Sequence, residues 1–276
     1  MINLRFFGEV CSSYTLLCKH VTWHGCCSFL QPAKPLNTPP AAPLSPTPAP
    51  PGERSGNNAQ QKALCLQAYQ AAAQRVEVMS HQQTLRPRAI VTDIDETVLD
   101  NSPFSAKTAL AGHPYSQQAW EAWTALAACD TVPGAPSFFK YAAEKGFTIY
   151  YVTNRLETER AATLKNLQRW GFPFADNEHL ILSNGNSNKE PRRNEIAKKF
   201  EIAMLVGDNL GDFSEVFYHK SPAERDAAVT QLQAEFGERF IVLPNVMYGD
   251  WVTALYPRGL TPAQVDSVMK MQVKSY

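Results

Sequence analysis

The chain has 276 residues with 26 basic and 26 acidic side chains, so its formal net charge is zero. That balance argues against binding of a nucleic acid polymer, which more often draws on a basic excess. A hydrophobic content of 44% suits a folded globular protein, and no stretch approaches the roughly 20 apolar residues that a membrane-spanning helix needs.

Residues 1–31 carry four of the six cysteines: Cys11, Cys18, Cys26 and Cys27. His20 and His24 lie among them, but the adjacent pair Cys26-Cys27 lacks the two-residue gap of a zinc knuckle. Arg5 followed by Phe6-Phe7 and by apolar residues through Leu17 gives the outline of an export segment. Glu9 interrupts that run, and no cysteine follows the Leu-small-small sequence of a lipidation site. On its residues alone the segment reads as an unstructured or mis-assigned N-terminus. Residues 32–58 follow, with nine of the chain's 20 prolines between Pro32 and Pro51. Such a density of proline excludes helix and strand and predicts a solvated, extended linker. The folded unit is therefore residues 59–276, one domain with an insertion.

Within that unit, residues 59–78 are rich in Ala and Gln and predict a helix. Short apolar runs at 89–92, 147–152, 180–182, 203–206 and 240–243 read as buried strands. Helical patterns at 135–145, 157–170, 190–200 and 222–236 separate them, with Gly146, Gly171 and Gly237 where the helices should stop. Residues 105–134 form a mostly helical insertion after the first strand. The alternation predicts an α/β fold, a doubly wound parallel sheet covered on both faces.

Open parallel sheets bind ligands beyond the carboxyl ends of their strands. There the chain places Asp93, Asp95, Thr153, Asn154, Arg155, Asp208 and Asp212. Clustered carboxylates repel one another unless a hard cation lies among them, and Mg²⁺ suits oxygen ligands and a substrate phosphate. A calcium loop of the EF-hand type is excluded because Val98 occupies its glycine position. A carboxylate beside Mg²⁺ can attack phosphorus, and a second can protonate the leaving alcohol. Thr153 can hold a phosphoryl oxygen, and Lys189 can neutralise developing charge. No phosphate-binding loop of the nucleotide type is present, which disfavours ATP-driven chemistry.

Four motifs in order carry a resemblance. Val91-Thr92-Asp93-Ile94-Asp95-Glu96-Thr97 through Pro103, Tyr150 through Arg155, Ser187-Asn188-Lys189, and Val206-Gly207-Asp208-Asn209-Leu210-Gly211-Asp212-Phe213 are similar to the motifs of the class C bacterial acid phosphatases. That family is a branch of the haloacid dehalogenase superfamily and includes outer-membrane lipoprotein 5′-nucleotidases. Trp120-Glu121-Ala122-Trp123 and Val132-Pro133-Gly134-Ala135 resemble its insertion, a small helical cap.

The resemblance implies that Asp93 is the nucleophile and a Mg²⁺ ligand, and that Asp95 is the general acid/base, binding the metal through its backbone carbonyl. Asp208 would be a third ligand with Asp212 close behind it; the residues alone leave a helix cap open for Asp212. Thr153, Lys189 and Asn154 would bind phosphate, and Trp120 and Tyr248 would sandwich a nucleoside base, whereas Trp123 reads as core. Arg155 reads as a structural ion-pair partner; His179 and His219 carry no role.

The expected reaction is hydrolysis of phosphomonoesters, chiefly nucleoside 5′-monophosphates. A phosphotransferase, a narrow sugar-phosphate phosphatase and a non-catalytic envelope lipoprotein are the alternatives. Dehalogenation is disfavoured because it uses neither the second aspartate nor a metal. The family's habits place the chain in the cell envelope, with the proline-rich stretch as a tether to a membrane surface. Cys65 and Cys129 read as buried small hydrophobes, with a disulfide as the alternative.

Overall fold

The computed structural model describes residues 59–112, 115–257 and 259–272. The expected export segment 1–31 and linker 32–58 lie outside the described residues.

Five parallel strands form the sheet: β1 (Arg88–Thr92), β4 (Thr148–Leu156), β5 (Leu180–Ser183), β6 (Glu201–Gly207) and β7 (Phe240–Val242), in the order β5-β4-β1-β6-β7. Each expected strand is present. The chain runs outward from β1 through β4 to β5, then returns to the other side of β1 for β6 and β7. The strand order thus reverses at β1, which opens a crevice at the carboxyl end of the central strand.

Strand residues alternate between two cores, as the two-residue period of a strand requires. Ile90, Ile149, Tyr151, Met204 and Val206 face one, together with Tyr69 of α1 (Ala59–Ser80) and Phe138 and Phe139 of α4 (Ala135–Glu144). Tyr69 lies 5.3 Å from the Phe138 ring and 6.0 Å from Phe139. Ala89, Val91, Tyr150, Val152 and Leu205 face the other core, closed by Ile196 of α6 (Glu190–Lys199) and by Phe213. Helices α5 (Arg160–Arg169) and α7 (Pro222–Gln231) complete the crossovers. Gly146 and Gly171 follow the ends of α4 and α5 with positive φ of 87° and 68°, as helix-stop glycines do.

Three features depart from the expectation. The insertion opens and closes on a two-stranded antiparallel ribbon, β2 (Leu99–Asp100) with β3 (Asp130–Thr131), which carries α2 (Ser102–Ala111) and α3 (Gln117–Thr124) between its strands. Two-residue strands leave no alternation to read. Strand β4 continues through Leu156 instead of stopping at Val152, because its register to β5 slips between Val152 and Leu156. That irregularity exposes Asn154 while turning Thr153 and Arg155 inward. Helices α8 (Asp250–Thr253) and α9 (Pro262–Gln272) follow the last strand, and the sequence pattern singled out neither. No helix among the described residues is long and apolar enough to cross a membrane.

Candidate active site

Each strand along the reversal contributes one polar turn. After β1 the chain folds back on itself, with the N–H groups of Val98 and Leu99 both donating to the Ile94 carbonyl at 2.8 Å. Glu96 adopts φ of 61° to make this turn, a left-handed conformation unusual for a side chain of its size. The buried Tyr69 hydroxyl braces the turn by donating to the Thr97 carbonyl at 2.5 Å.

Carboxylate oxygens of Asp93, Asp208 and Asp212 come within 4.8 Å of one another. The Lys189 ammonium, placed just before α6, donates to Asp93 and, at 2.6 Å, to Asp212. Burial pushes the Asp93 carboxyl up to about 7; Asp212 and Asp95 add to the rise and Lys189 opposes it. Asp208 is raised well above the usual carboxylate range, first by burial and then by Asp212 and Asp93. Burial works against the charge of Lys189, but Asp212 and Asp93 outweigh it and raise its pKa. Three carboxyl groups around one ammonium form an oxygen-rich cluster that gains negative charge as protons leave it, which is the donor set a hard divalent cation requires.

Asp95 stands apart from that cluster. Its carboxylate accepts from Nε of Arg155 at 3.1 and 3.2 Å, from Nη2 of Arg155 at 2.6 Å, and from the Asn101 amide at 2.9 Å. Arg155 is only 2% exposed, so this ion pair is nearly dry on the arginine side. The expectation of a structural ion pair for Arg155 is met, and its partner is the very residue expected to move the proton.

Asp212 sits at the third position of a short 3₁₀ turn and accepts the Asn209 N–H at 2.9 Å while also binding Lys189. The N-cap of that turn is Asn209, so the reading of Asp212 as a helix N-cap is not met; as the third residue, its carboxylate reaches back to the Asn209 N–H while it meets Lys189. Gly207 permits this arrangement: a Cβ there would stand 2.4 Å from the Asp212 side chain.

Helix α6 fixes three strand ends at once. Besides Lys189 before its first turn, Arg192 donates to the Thr153 carbonyl at 2.5 Å and to the Asn154 side chain at 2.8 Å. Arg193 donates to the carbonyls of Gly211 and Asp212 at 3.1 and 2.7 Å. Sequence reading missed both arginines, since basic residues on a polar helix look like a solvated face.

A cavity of about 660 Å³ opens over this cluster, lined by Asp93, Asp95, Asn154, Lys189, Asp208 and Asp212 among others. Thr153 is fully buried and outside its lining; its hydroxyl oxygen accepts the Arg155 N–H at 3.1 Å. Trp120 and Tyr248 both line the cavity, joined by Phe104 and Tyr115 of the cap, which the sequence did not single out. Trp120 is 8% exposed, edge-on to Phe104 at 5.2 Å, with the Arg155 guanidinium 5.8 Å over its ring. The Tyr248 hydroxyl donates to Glu96. Burial pushes Glu96 up to about 8, with Asp95 adding to the rise and the Tyr248 and Asn101 hydrogen bonds opposing it. Trp123 turns away, its indole N–H donating to Asn101 at 2.8 Å. Cys65 and Cys129 are buried free thiols, each pushed by burial up to about 11.

Comparison with known proteins follows the same lines. Residues 53–251 match the family model described as HAD superfamily, subfamily IIIB (Acid phosphatase). The chain superposes on the crystal structure of the class C acid phosphatase from Bacillus anthracis with tungstate bound, with a TM-score of 0.77 and 39% identity, covering 80% of this chain and 94% of that one. Among curated sequences it is 25% identical over 166 residues to acid phosphatase 1 of Solanum lycopersicum, covering 57% of each chain. It is also 25% identical over 125 residues to the stem 31 kDa glycoprotein of Glycine max, covering 43% of this chain and 49% of that one. The chain thus spans about half the length of these curated relatives.

Proposed function

The chain belongs to the acid phosphatases of subfamily IIIB in the HAD (haloacid dehalogenase) superfamily, and from that premise we propose that it hydrolyses phosphomonoesters, chiefly nucleoside 5′-monophosphates, through a phosphorylated Asp93. The observation that carries the reading is the division of labour among the aspartates. Asp93 sits with Asp208 and Asp212 beside Lys189, whereas Asp95 is held away from them by Arg155.

Asp93 attacks phosphorus as the ester oxygen leaves, and Asp95 gives that oxygen its proton. Water then attacks the phosphorus of the phosphorylated Asp93 and gives a proton to Asp95, which breaks the acyl-phosphate linkage, releases inorganic phosphate and restores the Asp93 carboxylate. Lys189, at the amino end of α6, balances charge on the phosphoryl oxygens, and the helix dipole adds to the same effect. Asn154 offers a side-chain amide from the exposed bend of β4. Buried Thr153 supports the phosphate pocket through its backbone and its bond to the Arg155 N–H. Asp93, Asp208 and the Asp95 backbone carbonyl would hold Mg²⁺, with Asp212 alongside. When bound, the cation would offset the charge of the carboxylates and of the phosphoryl group. Tungstate in the Bacillus anthracis structure is an oxyanion like phosphate, which agrees with this assignment.

The aromatic wall of Phe104, Tyr115, Trp120 and Tyr248 supports a flat, apolar leaving group, and stacking tolerates any base. The family's habits favour the cell envelope, with the proline-rich segment as tether. The test is phosphate release from AMP and from p-nitrophenyl phosphate at mildly acidic pH, with and without EDTA. Wild-type activity should vanish with EDTA and return with Mg²⁺, and Asp93→Asn should be inactive. Turnover that survives either change refutes the mechanism.

A further inference from the structure

Two asparagines share one oxygen of Asp208. The Nδ2 groups of Asn209 and Asn245 donate to Asp208 Oδ2 at 2.8 and 2.7 Å, while the Thr97 hydroxyl donates to Oδ1 at 3.2 Å. Each asparagine spends its own carbonyl oxygen on the loop that follows β7. Asn245 Oδ1 accepts the N–H groups of Met247 and Tyr248 at 2.9 and 3.4 Å, and Asn209 Oδ1 accepts that of Asp250 at 3.0 Å. Gly249 lies so close to Asn209 that a Cβ would stand 2.3 Å from its Oδ1. Met247, Tyr248, Gly249 and Asp250 all line the cavity.

One planar amide therefore joins an anionic carboxylate of the cluster to the backbone of a cavity-lining loop, and the join is made twice. A rigid amide cannot rotate to follow the loop without withdrawing its N–H from Asp208. We propose that Asn245, seconded by Asn209, is a positioning residue that couples cation occupancy at Asp208 to the order of the loop 247–250. The inference rests on the reading of Asp208 as a metal ligand. A cation fixes the Asp208 carboxylate, the carboxylate fixes the amide, and the amide fixes the loop wall. By linkage the reverse holds: a substrate that orders the loop tightens the cation.

The test uses the full chain, Mn²⁺ as the probe, its uptake followed by electron paramagnetic resonance, and hydrogen exchange of the 247–250 amides. Asn245→Ser keeps an oxygen that can accept the Met247 N–H but is too short to reach Asp208. It should weaken Mn²⁺ uptake on the order of tenfold, as loss of a ligand's hydrogen-bond partner does. In wild type, Mn²⁺ should slow exchange across the loop; in Asn245→Ser, exchange of the Met247 and Tyr248 amides should be the same with and without Mn²⁺, while Asp250, held by Asn209, should still respond. Asn209→Ala provides a second variant, expected to uncouple Asp250 while leaving Met247 and Tyr248 responsive. Wild-type Mn²⁺ affinity in Asn245→Ser, or protection of Met247 and Tyr248 that still responds to Mn²⁺ there, overturns the coupling. A wild-type chain that takes up no Mn²⁺ overturns the cation reading itself, so the two failures are distinguishable.

Discussion

Replacing Arg155 with methionine separates the two jobs that Asp95 is assigned. The change removes three of the four hydrogen bonds to the Asp95 carboxylate and leaves only the Asn101 amide. Breaking a buried ion pair by deleting one partner costs ~3–5 kcal/mol. The Asp95 side chain keeps 17% of its surface exposed, so the lower end of that range, ~3 kcal/mol, is expected. Chemistry should suffer according to the leaving group. Adenosine leaves AMP through its ribose 5′-oxygen, a strongly basic alkoxide that needs its proton, and a positioned general acid contributes roughly 10²–10⁴-fold. p-Nitrophenolate departs as a stable anion and needs little help. The quantity to compare is kcat/KM, which reports the path through the first phosphoryl transfer. For Arg155→Met it should fall about 10²-fold or more with AMP and at least roughly tenfold less with p-nitrophenyl phosphate. Equal losses on both substrates would refute the idea that Arg155 acts through the proton carried by Asp95. Urea unfolding in parallel separates loss of fold from loss of aim.

Two further outcomes follow from the cluster. Gly207→Ala should drive its methyl into Asp212, at about 1–3 kcal/mol in stability, and should raise the Mg²⁺ concentration for half-activity about tenfold or more; an unchanged metal requirement would show that Asp212 is dispensable to the cation. In EDTA, calorimetric stability should fall as pH rises from about 4 to 7. Asp93 is raised from 3.8 to about 7, so across that window the folded chain holds a proton that the unfolded chain has released, and stability declines with pH. Glu96, raised from 4.5 to about 8, acts with the same sign. Excess Mg²⁺ should therefore raise the melting temperature more at pH 7.5 than at pH 5, because protons compete for the same carboxylates. A metal-free stability that rises over this range would contradict the burial of these groups.

The strand ends were legible because each apolar run stops abruptly at acids, amides or glycine, and that contrast survives without any alignment. Asp93, Asp95, Asp208 and Asp212 stand out this way, whereas Lys189 lies beyond the end of β5 and stands out only through the motif that resembles the family's third. Asn209 and Asn245 were not assigned the clamp on Asp208, because an amide in a polar loop looks the same whether it meets water or a carboxylate. Arg192 and Arg193 were hidden for a similar reason: they lie on a helix whose charged residues match an ordinary solvated face. The continuation of β4 through Leu156 was missed because Thr-Asn-Arg breaks the apolar pattern, although the backbone stays extended and kinks only in its pairing with β5. Tyr115 could have been found from its nearness to Trp120 in sequence, but no helical spacing links it to α3, and Phe104 sits on a separate helix.

The dependence of three strand ends on α6 has a consequence for how such an enzyme can diversify. Lys189, Arg192 and Arg193 hold Asp93, the Thr153 bend and the Asp212 turn from a single helix, so a shift of that helix disturbs all of them together. Helix α2 of the cap buries none of its residues, yet Phe104, Ser105, Thr108 and Ala109 face the cavity. On the proposed reading, substitutions there would meet the leaving group at little cost to the fold, and that is where such a chain is free to change its substrate.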